Sequence, residues 1–256
     1  MEQNEIKEIT GKAAVEALVK SGMKLGLGTG STAIPAVRHV GALLAEGRLK
    51  NILAVPTSFQ TTIECEKWGI PLFTLNSKEI DGKLDLTIDG ADEVDSENRL
   101  IKGGGGALLL EKIVAYASAS YAIVVDDSKI VETLGLKFPV PIEVVPEART
   151  NVKAALEKLG AEVTLREALR KDGPVITDHG NLLLDIHFDI RFYEAHDPAL
   201  LERELNNIPG VVENGFFTGP HDRILQRGTS TLPGPGVGWR PAVFIGHKDG
   251  KVERRD

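Results

Sequence analysis

Lys24-Leu-Gly-Leu-Gly-Thr-Gly-Ser-Thr32 decides how this chain folds. Lys24 to Gly28 is short, apolar and closed by glycine, which predicts a buried strand. Ser31 or Thr32 then caps a helix with Ile34, Val37, Val40, Leu43 and Leu44 on one stripe. Upstream, Ile6, Ile9, Ala13, Ala14, Ala17 and Leu18 recur at helical spacing, and Gly22 ends that helix. Downstream, strands are expected at Ile52–Val55, Leu72–Leu75, Leu84–Ile88 and Ala122–Val125, with helices near Ser58–Trp68 and Ala107–Ser118. Apolar strands alternating with helices of this length predict an α/β fold, a doubly wound, Rossmann-like parallel sheet.

The rhythm changes after Lys137. Phe138-Pro-Val-Pro-Ile-Glu-Val-Val-Pro146 carries three prolines, which suits an edge strand or a linker better than a central strand. A helix over Val152–Leu159, strands near Ala161–Leu165 and Asn181–Phe188, a helix over Pro198–Asn206 and a strand over Val211–Phe217 complete a β-α-β-β-α-β order. That order is the ferredoxin-like α+β unit. Two domains are therefore expected: residues 1–137 plus 218–256 as the Rossmann-like catalytic domain, and 138–217 as the smaller one. The strand Ala242–Ile245 is expected to rejoin the first sheet, and the Gly- and Pro-rich segment before it reads as a loop.

With 256 residues, 42% hydrophobic and 26% charged, the chain can build a packed core, and bulk disorder is excluded. A single cysteine, Cys65, rules out an internal disulfide and suits a reducing compartment. No apolar run approaches a membrane span, and the start Met1-Glu-Gln-Asn-Glu-Ile6 lacks the features of a signal peptide. These features point to a cytoplasmic protein with no membrane partner. The net charge of -7 argues against a broad nucleic-acid surface. An anionic ligand would need a locally positive site on this acidic protein.

Four motifs carry candidate chemistry. Gly26-Leu-Gly-Thr-Gly-Ser-Thr32 lies between a strand and a helix, where glycines admit a ligand to the backbone and helix-start N–H groups favour an anion. It lacks the third glycine of a dinucleotide fingerprint, since Ser31 stands there, and the Gly-Lys-Ser/Thr ending of a P-loop. An ordinary tight β-α turn is the plainer alternative. Asp85-Leu-Thr-Ile-Asp89-Gly-Ala-Asp92-Glu93 ends a strand in clustered carboxylates, and Asp89 and Asp92 flank a glycine turn. Crowded carboxylates suit proton shuttling; turn chemistry and a Mg²⁺ site compete as readings. None of the six histidines makes a close-spaced cluster with these acids, which weakens a transition-metal reading.

Lys102-Gly-Gly-Gly-Gly106 precedes a helix in which Glu111 is surrounded by Ala107, Leu108, Val114 and Ala115. Four consecutive glycines are costly for folding, but they allow close approach of a substrate. An apolar surround is the setting that raises a carboxyl pKa toward general-base range, whereas an exposed Glu paired with a Lys is the bland reading. Lys102 is a candidate cation for a developing oxyanion, or a plain surface lysine. Lys129, in Asp126-Asp-Ser-Lys129, falls just past another strand. Each motif sits at the carboxyl end of an expected parallel strand, so the fold is expected to gather them in one cleft. Together they suit cofactor-free proton transfer on a small phosphorylated or hydroxylated substrate.

Gly28-Thr-Gly-Ser-Thr32, Asp89-Gly-Ala-Asp-Glu93, Ile101-Lys-Gly-Gly-Gly105 followed by Glu111-Lys-Ile113, and Asp127-Ser-Lys129 together resemble the type A ribose-5-phosphate isomerase family. Pro141–Pro146 and Ile208–Val212 share in the likeness, which runs from about residue 5 to 217 and resumes at the last strand. The resemblance implies metal-free interconversion of ribose 5-phosphate and ribulose 5-phosphate, with no cofactor. On it, Glu111 matches the base that moves a proton between C2 and C1, and Asp89 an acid/base for ring opening or hydroxyl protons. Lys102 matches the cation near the oxyanion, and Asp92 a hydroxyl-binding carboxylate. Thr29, Gly30, Ser31, Thr32, Gly90, Ala91, Gly103, Gly104 and Gly105 match substrate-binding positions, and Lys7 and Lys129 basic residues that hold the sugar phosphate. A homodimer or homotetramer is also implied.

The chain departs from the family pattern over Thr218–Pro241, expected to be a surface or interface loop. Two other readings remain: a related sugar-phosphate isomerase or deaminase, and a non-catalytic sugar-phosphate sensor, which would leave Glu111 and Asp89 without purpose.

Overall fold

The computed structural model describes residues 1–219 and 240–256, so most of the Thr218–Pro241 segment lies outside the described residues. In chain order the elements begin α1 (Gln3–Leu18), β1 (Lys24–Leu27), α2 (Ile34–Ala45), β2 (Leu53–Pro56), α3 (Phe59–Lys67), β3 (Leu84–Asp89), β4 (Glu93–Val94), β5 (Leu100–Ile101), α4 (Leu108–Tyr116) and β6 (Ser118–Asp126). They continue β7 (Val140–Val144), α5 (Arg149–Lys158), β8 (Glu162–Leu165), β9 (Leu182–His187), α6 (Ile190–Ala195), α7 (Pro198–Asn206), β10 (Val211–Asn214), β11 (Phe216–Phe217), β12 (Ala242–Gly246) and β13 (Val252–Arg255). They fall into two compact units: Met1–Ala91, Leu110–Lys129 and Gly219–Asp256 form the first, and Asp92–Leu109 with Ile130–Thr218 the second.

The first unit holds a six-stranded sheet in the order β13-β12-β6-β3-β1-β2. Every pairing is parallel except β12 with β13. Strand order reverses between β1 and β3, the place where open α/β sheets bind ligands at their carboxyl ends. Period-2 alternation divides the strands between two faces. Leu25, Leu27, Leu86, Ile88, Ala122, Val124 and Phe244 form one core with Ala14, Val15, Ile34, Val37 and Val40 of α1 and α2. On the other face Gly26 stands beside Thr87, which pairs with Tyr121. A side chain on Gly26 would come within 2.6 Å of Val114 of α4, so glycine lets that helix settle on the sheet.

Some local expectations fail for physical reasons. Leu72 makes only an isolated bridge to Ala54, because Pro71 has no N–H and the chain turns at Thr74–Ser77. Neither Ser31 nor Thr32 caps α2: the Ser31 hydroxyl accepts from Lys7 Nζ at 2.8 Å, and the helix begins at Ile34 after an uncapped Ala33. The last strand does rejoin the sheet beside β6, and the charged Val252–Arg255 segment adds an antiparallel edge that carries no apolar alternation.

The second unit contains an antiparallel sheet, β10-β7-β9-β8, which is the ferredoxin-like strand order. Its core gathers Val140, Ile142, Val144, Val152, Leu156, Leu184, Ile186, Leu201 and Leu205. The proline-rich β7 is not an edge strand or a linker; it pairs with both β10 and β9. Pro141 is tolerated because β10 has ended at the level of Ile142, and only the Pro141 carbonyl is required, accepting from Gly215 N at 2.8 Å. The expected strand Val211–Phe217 is split at Gly215, where β10 ends and β11 joins the small sheet β11-β5-β4. Lys102 N donates to Gly215 O at 2.9 Å, and a Cβ on Gly215 would approach Lys102 O to 2.6 Å.

Candidate active site

Within the first unit, the carboxyl ends of β1 and β3 meet through Asp89. Its side chain is fully buried, and Oδ1 accepts from Thr29 N at 3.0 Å and Gly90 N at 2.7 Å. Gly28 is required there: an added Cβ would fall inside the Asp89 carboxyl group and 2.5 Å from its Cα, which is backbone and cannot yield. Gly28→Ala is expected to cost about 1–3 kcal/mol of stability through overpacking. It should also lower turnover at least tenfold, read by thermal unfolding and steady-state kinetics on the same preparation.

The Thr29 hydroxyl lies 2.7 Å from both Thr57 Oγ1 and Ser58 Oγ and 3.1 Å from Thr61 Oγ1. Gly30, in the left-handed region at φ 92°, donates its N–H to Gln60 Oε1 at 2.9 Å. The loop after β1 is thus tied to the start of α3, where Ser58 caps by accepting from Thr61 N. Sequence reading missed Thr57, Ser58, Gln60 and Thr61; four hydroxyl or amide residues clustered at a strand–helix junction were the available signal. Thr32 flanks Gly90, whose added Cβ would lie 3.7 Å from the Thr32 Cβ.

Glu111 stands in the first turn of α4 and is 5% exposed. Tyr121, buried on β6, shows what surrounds it: burial pushes the phenol well above its usual range, and the charges of Asp89 and Glu111 push it further. The two carboxylates therefore act on the same buried ring from β3 and from α4. Tyr121 was not singled out from sequence, because a continuous apolar strand gives no sign of which face meets the acids. Lys129 ends a single 3₁₀ turn after β6. Burial raises the pKa of neighbouring Asp126, yet hydrogen bonds from Ser128, the charge of Lys129 and a bond from Gln3 hold it below the usual carboxylate range. Lys7 follows Gln3 by one turn of α1, so both lysines lie at this carboxyl edge.

Within the second unit, Lys102 and the glycines after it leave β5. Lys102 is 2% exposed, with its ammonium 5.5 Å from the centre of the Phe217 ring, so it is not a plain surface lysine. Gly103 and Gly106 occupy left-handed conformations at φ 102° and 79°. Around Gly105 there is open space. Asp92 Oδ2 accepts from Gly104 N at 2.7 Å, so this carboxylate shapes the glycine loop. Glu93, 1% exposed, accepts from the N–H groups of Gly135 at 2.7 Å, Lys137 at 2.9 Å and Phe138 at 2.7 Å. Glu93 is thus structural. Among the described residues, no group of three or more His, Cys, Asp and Glu is arranged to hold a metal.

A doubly wound sheet with a buried carboxylate held at its switch point, between the ends of β1 and β3, is the arrangement in which open α/β folds bind small ligands. The sequence profile of ribose 5-phosphate isomerase A (phosphoriboisomerase A) matches residues 53–230. The ribose-5-phosphate isomerase A of Treponema pallidum subsp. pallidum is 50% identical over 254 residues, covering 97% of this chain and 92% of that protein. The Treponema denticola protein of the same name is 48% identical, with 99% of each covered. Among solved structures, ribose 5-phosphate isomerase A from Methanocaldococcus jannaschii superposes with a TM-score of 0.84 at 41% identity over all of both chains. A D-ribose-5-phosphate isomerase in complex with phospho-erythronic acid gives 0.86 at 37% identity, also over all of both chains. The chain belongs to the ribose 5-phosphate isomerase A family.

Proposed function

We propose that this chain interconverts D-ribose 5-phosphate and D-ribulose 5-phosphate through an enediolate, with Glu111 moving the proton between C2 and C1. The observation that carries the assignment is that Asp89 and Glu111 are both buried, and that the charges of both reach the buried Tyr121 phenol. A carboxylate shielded from water is a stronger base, and two acids in one site can take separate roles. Asp89, oriented by Thr29 N and Gly90 N, serves ring opening or the hydroxyl protons. Lys102 supplies positive charge to the developing oxyanion. Asp92 keeps Oδ1 for a substrate hydroxyl while Oδ2 holds the loop. Gly30, Ser31, Thr32, Gly90, Ala91, Gly103, Gly104 and Gly105 line the place of the sugar, with the Thr29 hydroxyl shaping the first loop. Lys7 and Lys129 hold the phosphate, so the positive field is local on a chain of net charge -7. Assembly as a homodimer or homotetramer and a cytoplasmic location complete the proposal, the first checked by sedimentation.

Incubation with ribose 5-phosphate should yield ketose, and the rate should survive exhaustive EDTA treatment. A rate that collapses with EDTA and returns with a divalent cation would contradict the metal-free assignment.

A further inference from the structure

Arg166 follows β8 and is largely buried, its side chain 16% exposed. Nε and Nη2 donate to the two carboxylate oxygens of Asp185 on β9. The remaining nitrogen, Nη1, donates to the carbonyl oxygens of Gly103 at 2.9 Å and Gly104 at 3.1 Å. The Arg166 backbone is itself pinned, its N–H donating to Leu183 O and its carbonyl accepting from Val175 N, both at 2.9 Å. A rigid guanidinium fork is thus aimed at two consecutive peptides of the loop that leaves Lys102.

A trans peptide directs its carbonyl and the following N–H in opposite directions. With Gly103 O on Arg166, the N–H of Gly104 must face away, and it donates to Asp92 Oδ2 at 2.7 Å. With Gly104 O on the same guanidinium, the N–H of Gly105 must also face away from Arg166. Gly105 is exposed, its surroundings are open, and its φ lies outside the left-handed region, so folding alone does not require glycine at this position. Without the clamp, a run of four glycines samples many peptide orientations, since glycine is the least restricted residue.

We propose that Arg166, oriented by Asp185, is a positioning residue that fixes the peptide orientation of the Gly103–Gly105 loop and presents the Gly105 N–H to an oxygen of the substrate. The proposal rests on the assignment of this loop to ribose 5-phosphate binding. Loss of a positioned backbone donor, or a displacement of about 1 Å near the reacting atoms, costs one to two orders of magnitude or more in rate.

The test uses Arg166→Met combined with Asp185→Asn, which removes the guanidinium without leaving a buried carboxylate unpaired. kcat and KM for ribose 5-phosphate are measured well below the melting temperature of each protein. At least a fivefold fall in kcat/KM is expected in the folded double variant. A smaller change, whatever the fall in melting temperature, would mean that the guanidinium only staples the fold, and would overturn the proposal. If the double variant does not fold, Arg166→Lys decides: an ammonium cannot serve both carbonyls and both Asp185 oxygens, so kcat/KM should again fall at least fivefold, and a smaller change overturns the proposal. Wild-type enzyme in the same assay separates the two levels. Failure of wild type to turn over ribose 5-phosphate would instead remove the assignment of the loop itself.

Discussion

Glu111→Gln should lower kcat for ribose 5-phosphate by about 10²–10⁴-fold, the usual contribution of a positioned general base. Glutamine keeps the size and most of the hydrogen-bonding capacity of the side chain, so α4 and the buried ring of Tyr121 should remain in place. KM should change little, because the missing function is proton abstraction in the transition state rather than ground-state binding. Steady-state kinetics with thermal unfolding as the folding control reads both quantities. Near-normal turnover would remove Glu111 from the role of base and leave Asp89 as the remaining buried acid of the pair.

Glu93→Ala should be the most damaging change for stability, although Glu93 lies in the same acidic motif as Asp89 and Asp92. Its carboxylate serves three backbone N–H groups around Gly135–Phe138. Alanine would leave these donors unsatisfied and open a cavity. Buried donors cost about 1–3 kcal/mol each when stranded, so a loss of roughly 4 kcal/mol or more is expected. For a chain of this size that is about 10 °C in Tm. Acidity gives a second readout. Burial raises the Glu93 pKa, and the three N–H groups lower it only in part. A carboxyl raised in the folded state binds more protons folded than unfolded. Its stability contribution is therefore full below the ordinary Glu range and falls as pH rises through the folded value. Compared with Glu93→Gln, wild type should gain relative stability toward acid across that window and show a constant difference above it. A difference that is flat with pH would contradict the raised value.

The legible parts of this fold are those whose signal is local. Leu25, Leu27, Leu86 and Ile88 alternate with residues of the opposite face, and Gly28 next to a strand end marks the close approach that Asp89 makes. The apolar neighbours of Glu111 in the sequence agree with its burial, against the competing reading of an exposed Glu. The unread parts depend on pairings distant in the chain. Arg166 reaches Gly103 across 63 residues and Glu93 reaches Phe138 across 45, and no short-range pattern encodes either. Glu93 accordingly looked like a member of a catalytic cluster, whereas its donors make it a brace. Pro141 misled for a related reason: a proline counts against a central strand only where a neighbour needs its N–H, and β10 has ended at that level.

The central claim is that catalysis here is proton transfer by Glu111, and isotope transfer tests it most directly. Ribose 5-phosphate carrying protium at C2 is incubated with enzyme in D₂O, and the ribulose 5-phosphate formed is examined by NMR. Wild type should place solvent deuterium at C1 in a measurable fraction of the product, and Glu111→Gln should do so at least a hundredfold more slowly. Deuterium incorporation or product formation by Glu111→Gln at the wild-type rate would contradict the account.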